Sequence, residues 1–372
     1  MNRLVLIGNG FDIAHGLQTS YKSFISWYFN QWGHRLLNSI KREESDGLCT
    51  FRLNDGINAP NWASVFQGYY FKRENPFVSW NDSDAFIEAY KDKNLCKITF
   101  NSPLLQRIWT QLLLGWVDIE NEYYSLLFQE KMDLKEGFIY PNYKAINDQL
   151  NILRNKLIQY LKEIEKKEIH AIDDIEEKIY RPIKKRELAV AYRLSAVERS
   201  KEELNPARVM LLNFNYTKTP SLYTLKHSHV SINNIHGCLD KPDSVIFGYG
   251  DELDDGFKKL KDKNNNECLR HMKSIRYLES NNYRKMLEFI ESAPFQVCIM
   301  GHSCGNSDRT LLNTLFEHRN CVSVKPYFYI NEKNEDNYLE LVQNISRNFT
   351  DMKLYRDRVV NEEYCELLVS NK

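Results

Sequence analysis

The stretch that decides the fold is Leu4–Asp12, which reads Leu-Val-Leu-Ile-Gly-Asn-Gly-Phe-Asp near the start of a 372-residue chain. A short run of β-favouring apolar residues that stops at a glycine is typical of a buried strand. Gly8 and Gly10 lack a Cβ, so the backbone here could approach a phosphate, and a following helix would offer free N–H groups. The same spacing also fits an ordinary tight turn. The stretch predicts a strand–turn–helix unit and leaves its ligand open.

Short apolar runs of the same kind return after residue 205. They are Val209–Phe214, Val230–Ile235, Val245–Phe247, Gln296–Met300 and Tyr327–Ile330. Helical sequence separates some of these runs, and strands that alternate with helices are typical of a mostly parallel sheet. The sequence between the first and second runs is long, aromatic and charged, with helical spacing of its apolar residues. We therefore predict an α/β domain formed by residues 1–20 and 205–372, with a large helical insertion at 21–204.

Polar residues or glycines follow several of these predicted strands. Asp12 follows the first strand, Asn215 the second, His236 the third, and Gly301–Ser303 the fifth. Ligands of open parallel sheets bind beyond the carboxyl ends of the strands, so we expect these residues to converge on one crevice. His236 suits a general base, and Asn215 can orient a water or a ribose hydroxyl. Each also has a plainer interpretation, as a histidine satisfied in a turn and as an Asx-turn residue.

Composition excludes several classes of protein. Lys and Arg total 50, as do Asp and Glu, so no overall basic charge draws the chain to nucleic acid or anionic lipid. No apolar run approaches the ~18 residues of a membrane span, and the first run is too short for a signal peptide. The eight cysteines form no Cys-x-x-Cys pair, which argues against a disulfide or zinc framework. The expectation is a cytoplasmic protein with no membrane partner and no metal.

The glycine turn departs from two known nucleotide-binding motifs. Ile13 stands where the dehydrogenase fingerprint has its third glycine, and no Asp or Glu lies between Asp12 and Glu43 to hold a ribose. The chain also contains no Gly-Lys dipeptide, which a Walker A phosphate loop requires. A dehydrogenase and a P-loop NTPase are therefore not expected.

Three further motifs indicate other chemistry. Gly301–Gly305 matches the Gly-x-Ser-x-Gly elbow of serine hydrolases, but the only histidine that follows it is His318, in helical sequence. His227 and His229 could form a metal pair, although no carboxylate cluster lies near them in sequence. Lys184–Arg186 is a basic segment that a toxin acting on nucleic acid could use.

Taken together, these residues resemble the AbiH family of bacterial phage abortive-infection proteins. The resemblance covers the chain end to end and implies a role in antiphage defence, with a phage-derived trigger among the partners. The segments that carry it are Leu4–Leu17 with Thr19–Tyr21, Trp116–Tyr124, Leu212–Thr217, Ile235–Gly237 and Gly301–Ser303.

The same segments, in the same order, look like a divergent sirtuin-type Rossmann fold that binds NAD. Asp12 and Thr217 replace the usual serine and aspartate, and Tyr21 stands in place of an arginine. The Cys-x-x-Cys pairs that hold zinc in deacetylating sirtuins are missing, so the resemblance implies cleavage of NAD rather than protein deacylation. The positions that match nucleotide-binding residues of sirtuins are Gly8, Asn9, Gly10, Phe11, Gly301 and Ser303, and those that match the catalytic pair are Asn215 and His236.

The resulting hypothesis is an NAD+ hydrolase that cleaves the nicotinamide–ribose bond, with NAD as substrate. The Gly8–Phe11 backbone would hold the phosphates, and Ser303 would contact the nucleotide. Asn215 would orient water or ribose, His236 would act as base, and Asp12 would stabilise the developing cation or contact ribose. A nucleotide-binding sensor without catalysis and a nucleic-acid-acting toxin remain alternatives. The oligomeric state is open, and a homo-oligomer is compatible with the sequence.

Overall fold

The computed structural model describes residues 1–38, 43–53, 96–115, 117–129, 131–133, 137–139, 141–194, 202–224, 228–331 and 333–370. The chain divides into two compact units. Unit 1 comprises Met1–Gln18 and Leu161–Lys372, and unit 2 comprises Thr19–Tyr160.

The elements are numbered in chain order through the described ranges. The strands are β1 (Asn2–Ile7), β2 (Glu43–Ser45), β3 (Cys49–Leu53), β4 (Cys96–Phe100), β5 (Lys131–Asp133), β6 (Gly137–Ile139), β7 (Ile183–Lys184), β8 (Glu203–Leu204), β9 (Val209–Asn213), β10 (Val230–Asn234), β11 (Phe295–Met300), β12 (Cys321–Phe328) and β13 (Glu366–Leu367). The helices are α1 (Asn9–Ala14), α2 (Tyr21–Asn38), α3 (Pro103–Leu113), α4 (Ile119–Leu126), α5 (Tyr143–Ile164), α6 (Asp173–Tyr180), α7 (Val190–Arg193), α8 (Asp255–Asp262), α9 (Lys273–Arg276), α10 (Asn282–Ser292), α11 (Arg309–Phe316), α12 (Tyr338–Arg347) and α13 (Met352–Arg358).

Unit 1 is built on a six-stranded sheet with the spatial order β10-β9-β1-β11-β12-β13. Every neighbouring pair in it is parallel. The chain starts in the middle of the sheet, adds β9 and β10 on one side, and then crosses β1 to add β11, β12 and β13 on the other. This is the order 3-2-1-4-5-6 of doubly wound sheets, whose ligands bind where the two halves diverge. In unit 1 that point lies between the carboxyl ends of β1 and β11.

Alternating side chains of β1 serve two hydrophobic clusters. Leu4 and Leu6 belong to a cluster with apolar residues of α10, α11 and α12. Val5 and Ile7 belong to a second cluster, with α6 and the strand residues that point the same way. Because successive side chains of a strand point to opposite faces, both faces of the sheet are covered and β1 is buried throughout.

The segment from Leu161 to Leu204 groups with the sheet, although the predicted insertion ended near residue 204. Ile175 and Ile179 of α6 pack in the same cluster as Val5 and Ile7. Arg3 of β1 donates hydrogen bonds to carbonyls at the end of α6, which attaches that helix to the sheet. The predicted domain at 1–20 and 205–372 and the predicted insertion at 21–204 stay a prediction.

The structure corrects several predicted elements. Val245–Phe247 was predicted as a strand, but it lies outside the strands and is a buried connection. Of the predicted strand Tyr327–Ile330, only Tyr327 and Phe328 lie in a strand, where they end β12, which begins at Cys321. The insertion predicted as helical also contains antiparallel strands, since β3 pairs with both β2 and β4. The α/β class and the parallel sheet are confirmed.

Candidate functional site

The glycine turn after β1 packs against the loop that follows β11. Gly8 follows Ile7, the last residue of β1, and Asn9 begins α1. A Cβ added to Gly8 would lie 2.5 Å from the Cα of His302, and one added to Gly301 would lie 2.1 Å from the nitrogen of Phe11. Gly301 also has a φ of +75°, which favours glycine. These glycines are therefore required by the contact of two backbones, whether or not a phosphate binds.

Three of the four amides predicted to hold phosphate already have acceptors within the protein. Gly8 donates to the carbonyl of Met300 (3.2 Å), Gly10 to that of Gly301 (2.8 Å), and Phe11 to that of Gly8 (2.9 Å). Shared N–H groups are common at helix ends. A phosphate bound at this turn would therefore share these donors with carbonyls.

Asp12 is a fully buried carboxyl group with one unsatisfied oxygen. Its Oδ2 accepts a hydrogen bond from Oγ1 of Thr217 at 2.7 Å, and Oγ1 of Thr219 donates to that hydroxyl at 3.3 Å. Its Oδ1 has no hydrogen-bond partner among the described residues. Burial raises the pKa of Asp12 to about 6, against the opposing effect of Thr217, Thr219 and Asn215. A carboxyl group with such a pKa can exchange a proton near neutral pH.

Asn215 is held on the glycine turn beside Asp12. Its Nδ2 donates to the carbonyl of Gly8 at 2.9 Å, and its backbone N–H donates to Oδ1 of Asn213 at 3.1 Å. Asn213, the last residue of β9, also donates to the carbonyl of Thr217 at 3.0 Å. The loop after β9 is thus fixed by the strand end. We name Asp12, Asn215, Thr217 and Thr219 the aspartate group.

His236 lies in a second group, which is enclosed by side chains. Its Nε2 is 3.2 Å from the hydroxyl of Tyr277 and 3.3 Å from Oδ1 of Asp308. The rings of His236 and Tyr277 are nearly parallel, with centroids 6.1 Å apart. We name His236, Lys273, Tyr277, His302 and Asp308 the histidine group.

Asp308 is the centre of the histidine group. Nζ of Lys273 lies 2.9 Å from Oδ1, and Nε2 of His302 lies 3.6 Å from Oδ2. Burial opposes the charge of this carboxylate, but Lys273 and the two imidazoles outweigh it and hold the pKa of Asp308 well below its usual range. The pKa of His236 is lowered by burial and by Lys273, in spite of Asp308. At neutral pH the group therefore holds a carboxylate, an ammonium and a neutral His236.

The two groups meet at the carboxyl edge of the sheet. The ring of Phe214, next to Asn215, has its centroid 5.2 Å from that of His236 and 4.2 Å from that of His302. Gly8 contacts both groups. Its carbonyl accepts a hydrogen bond from the side chain of Asn215, and its Cα packs against His302. The structure therefore brings Asn215, Asp12 and the glycine turn together. The polar contacts described for the His236 side chain are with the second group.

Sequence reasoning missed four members of these groups: Asp308, Lys273, Tyr277 and Thr219. Asp308 follows the Gly301–Ser303 motif and precedes α11, where an aspartate is the ordinary residue of a helix start. Lys273 begins the short helix α9, and nothing in its sequence surroundings distinguishes it from a surface lysine. Its burial, at 1% exposure, is visible only in the fold.

The serine hydrolase interpretation lacks its histidine. Ser303 is exposed, and its carbonyl accepts from the side chain of Asn344. His318 lies at the other edge of the sheet, where its carbonyl accepts from the amide of Cys321, the first residue of β12. Its Nε2 faces Glu291 at 3.2 Å. His318 is therefore not placed to activate Ser303.

The basic segment also lies away from the candidate site. Arg186 places its guanidinium 4.6 Å from the ring centroid of Tyr364, and Lys185 faces Glu202 at 3.9 Å. The neighbouring Ile183 packs with Val322 near the amino ends of the strands. Of the predicted histidine pair, His227 lies outside the described residues. Within the described residues, no three or more His, Cys, Asp or Glu side chains are grouped to hold a metal ion.

Comparison with known proteins identifies a family. In the described ranges, no helix has both the length and the apolar character to cross a membrane. No curated protein and no solved structure matches the chain. The family model described as "Bacteriophage abortive infection AbiH" matches residues 4–330, a range that includes both the aspartate group and the histidine group. The chain therefore belongs to the AbiH family, as the sequence resemblance indicated.

Proposed function

We propose that this AbiH protein acts in phage abortive infection by hydrolysing the nicotinamide–ribose bond of NAD+ or a related nucleotide. The observation that carries the proposal is the carboxyl group of Asp12. It is 0% exposed, has one oxygen held by Thr217 and the other unsatisfied, and its burial raises its pKa to about 6. Leaving a buried carboxyl oxygen without a partner costs free energy, and such groups cluster at functional sites.

The position of Asp12 supports a dinucleotide as the ligand. It follows β1, and the loop after β11 lies against the same turn. In a doubly wound sheet this is the point where the strand order reverses, and dinucleotides bind across the crevice there. Both loops are rich in glycine, which allows a ligand to approach the backbone.

The chemistry assigns each group one task. The C1′–N bond of NAD+ breaks, its electron pair leaves with neutral nicotinamide, and positive charge develops on the ribose. A water oxygen bonds to C1′ while the Asp12 carboxylate takes its proton. Asn215 orients that water or the ribose, and neutral His236 accepts a hydrogen bond from a ribose hydroxyl. The side chains that cover Asp12 and His236 must move aside for the substrate to reach them.

The direct test measures nicotinamide and ADP-ribose released by purified protein, with a phage lysate supplied as trigger. We expect Asp12→Asn to lower the rate by at least about 100-fold, because it removes the proton acceptor. The matched control is Asp357→Asn, the same change at an exposed residue of α13. Its rate should equal that of the wild type. Undiminished activity in Asp12→Asn would remove Asp12 from the mechanism.

A nucleotide sensor without catalysis is the second candidate. It is favoured by the three turn amides that already donate to carbonyls and by the enclosure of His236. Such a protein would bind NAD+ in calorimetry, yet release no nicotinamide from it. The same titration with Asn215→Ala tests whether binding occurs at the glycine turn, because Asn215 donates to Gly8 there.

A further inference from the structure

The histidine group is an enclosed set of ionisable side chains arranged around one carboxylate. The side-chain exposure is 1% for Lys273, 5% for His236, 6% for His302 and 11% for Asp308. Such close burial makes charge balance decisive, because an unpaired charge in a protein interior costs several kcal/mol. The protons of the two imidazoles must therefore be placed to suit Asp308 and Lys273.

The position of the proton on His302 follows from its backbone contact. The amide of Cys304 donates to Nδ1 of His302 at 3.0 Å, so this nitrogen carries no proton. The proton of the neutral ring is then on Nε2, which faces Oδ2 of Asp308 at 3.6 Å. His302 thus presents an N–H group to the carboxylate.

His236 faces the other oxygen of the same carboxylate. Its Nε2 lies 3.3 Å from Oδ1 of Asp308, an atom that can only accept hydrogen bonds when ionised. The hydroxyl of Tyr277 lies 3.2 Å from the same nitrogen and can accept a share of its N–H. An N–H at Nε2 leaves Nδ1 as the unprotonated nitrogen of the neutral ring.

Lys273 offsets the charge of Asp308. Its ammonium lies 2.9 Å from Oδ1 of Asp308, so the pair has no net charge. A proton added to His236 would give the enclosed group a net positive charge. In the described part of the chain, the titratable groups that face His236 include Lys273, Asp308, His302 and Tyr277, with the thiol of Cys304 near Asp308.

We propose that Asp308 and Lys273 are positioning residues that hold His236 as a neutral imidazole with its proton on Nε2 and Nδ1 as the acceptor. The carboxylate fixes the tautomer, and the ammonium prevents the carboxylate from attracting a second proton onto the ring. The part of this inference that concerns the ribose hydroxyl rests on the proposed function. The tautomer and charge state of His236 do not.

The test is NMR of the full-length protein with isotope-labelled histidine, in which the ring ¹⁵N shifts report tautomer and charge for each imidazole. In the wild type we expect both His236 and His302 to carry their proton on Nε2 at pH 7.5. In Lys273→Met, the unpaired carboxylate should raise the pH at which His236 gains its second proton by at least about 1 unit. In Asp308→Asn, the pH at which His236 gains its second proton should fall, because the positive charge of Lys273 is no longer offset by the carboxylate.

The His236 titration should shift in opposite directions in these two variants. This distinguishes positioning residues from residues with a merely structural role. The control is Lys258→Met, the same change at an exposed lysine of α8, which should leave the His236 titration unmoved. A wild-type His236 protonated on Nδ1, or shifts of the same sign in both variants, would overturn the inference. If Lys273→Met does not fold, the wild-type tautomer and Asp308→Asn decide the question.

A parallel measurement separates this inference from the proposed function. If the chain hydrolyses NAD+, the acidic limb of its kcat profile should move to higher pH in Lys273→Met, because the reaction needs a neutral His236 as well as an ionised Asp12. The expected tautomer without hydrolysis would leave the positioning role standing and remove the proposed reaction. Hydrolysis by a protein whose His236 carries its proton on Nδ1 would leave the proposed reaction standing and remove the positioning role.

Discussion

At the scale of single residues, Asp12 stands out because its burial opposes folding. Its folded pKa of about 6 lies above its ordinary value of 3.8, so the folded state binds the proton more tightly than the unfolded state does. The stability that this proton contributes is fully present below about pH 4. It is lost as the pH rises through about 6, where the buried carboxyl ionises. At neutral pH Asp12 is therefore a cost to the fold.

Asp12→Asn should consequently stabilise the protein at alkaline pH. The shift from 3.8 to about 6 corresponds to roughly 3 kcal/mol, as an upper figure, because an asparagine must also satisfy its amide. Urea unfolding at pH 8 should show the gain, and at pH 4 the gain over wild type should be largely absent. An equal change at both pH values would mean that ionisation is not its cause.

Asp12 and Asn215 were accessible to sequence reasoning because Asn215 directly follows an apolar run and Asp12 closes the glycine turn that follows another. Lys273 and Asp308 were not, because they are 35 positions apart and meet only through the packing of α9 and α11 on the sheet edge. Their ion pair is a product of tertiary structure. A lysine and an aspartate at such a distance in sequence carry no signal of contact.

At the scale of elements, the close packing of the β1 turn on the loop after β11 is the feature that places the site. An alanine at Gly301 would combine a left-handed φ of +75° with a Cβ only 2.1 Å from the nitrogen of Phe11. The neighbouring atoms are backbone, so they cannot move aside as a flexible side chain would. The two loops would have to separate.

We expect Gly301→Ala to lower the unfolding free energy by about 3 kcal/mol, from strain and overpacking together. Gly16→Ala isolates the strain, because Gly16 has a φ of +77° and only the tip of Lys167 nearby, at 3.2 Å. Gly305→Ala isolates the added methyl group, since its nearest neighbour lies at 3.6 Å. Urea unfolding of the three variants measures each contribution. A loss at Gly301 no larger than at Gly16 would contradict the packing argument.

The strand predictions were correct where the residues of an apolar run also form the hydrogen bonds of a β-ladder. β1, β9, β10 and β11 agree with prediction to within two residues at each end. Val245–Phe247 is equally apolar and buried, but its amides bond elsewhere: that of Ile246 donates to the carbonyl of His236. Apolar sequence reports burial, and burial alone does not distinguish a strand from a buried connection.

At the scale of the whole molecule, unit 1 contains the complete core of the parallel sheet. The clusters that cover its two faces take all their buried members from unit 1. All residues of the aspartate group and the histidine group also belong to it. The alternation of strands and helices predicted the parallel class. The order of the strands in the sheet could not be predicted. It depends on which edge of β1 pairs with β9 and which with β11.

In sequence, unit 2 is inserted between two segments of unit 1 that lie close together in space. The ammonium of Lys167 donates to the carbonyl of Gly16 at 2.8 Å, so the chain before residue 19 lies near the chain after residue 160. A flexible linker of about eight Gly and Ser residues has a span of roughly 16 Å. Such a linker could replace Thr19–Tyr160 without straining the sheet, at the cost of most of α5.

We expect the shortened chain to fold and to unfold cooperatively in urea, because no member of the sheet clusters is removed. Its circular dichroism should keep the signal of a parallel α/β unit, and calorimetry with NAD+ should give the same affinity as the full chain if the ligand is held by unit 1 alone. The matched control carries Asp12→Asn in the shortened chain, which should also fold. A shortened chain that folds but no longer binds NAD+ would place part of the ligand site in unit 2. A chain that does not fold would show that the sheet depends on the inserted unit for its stability.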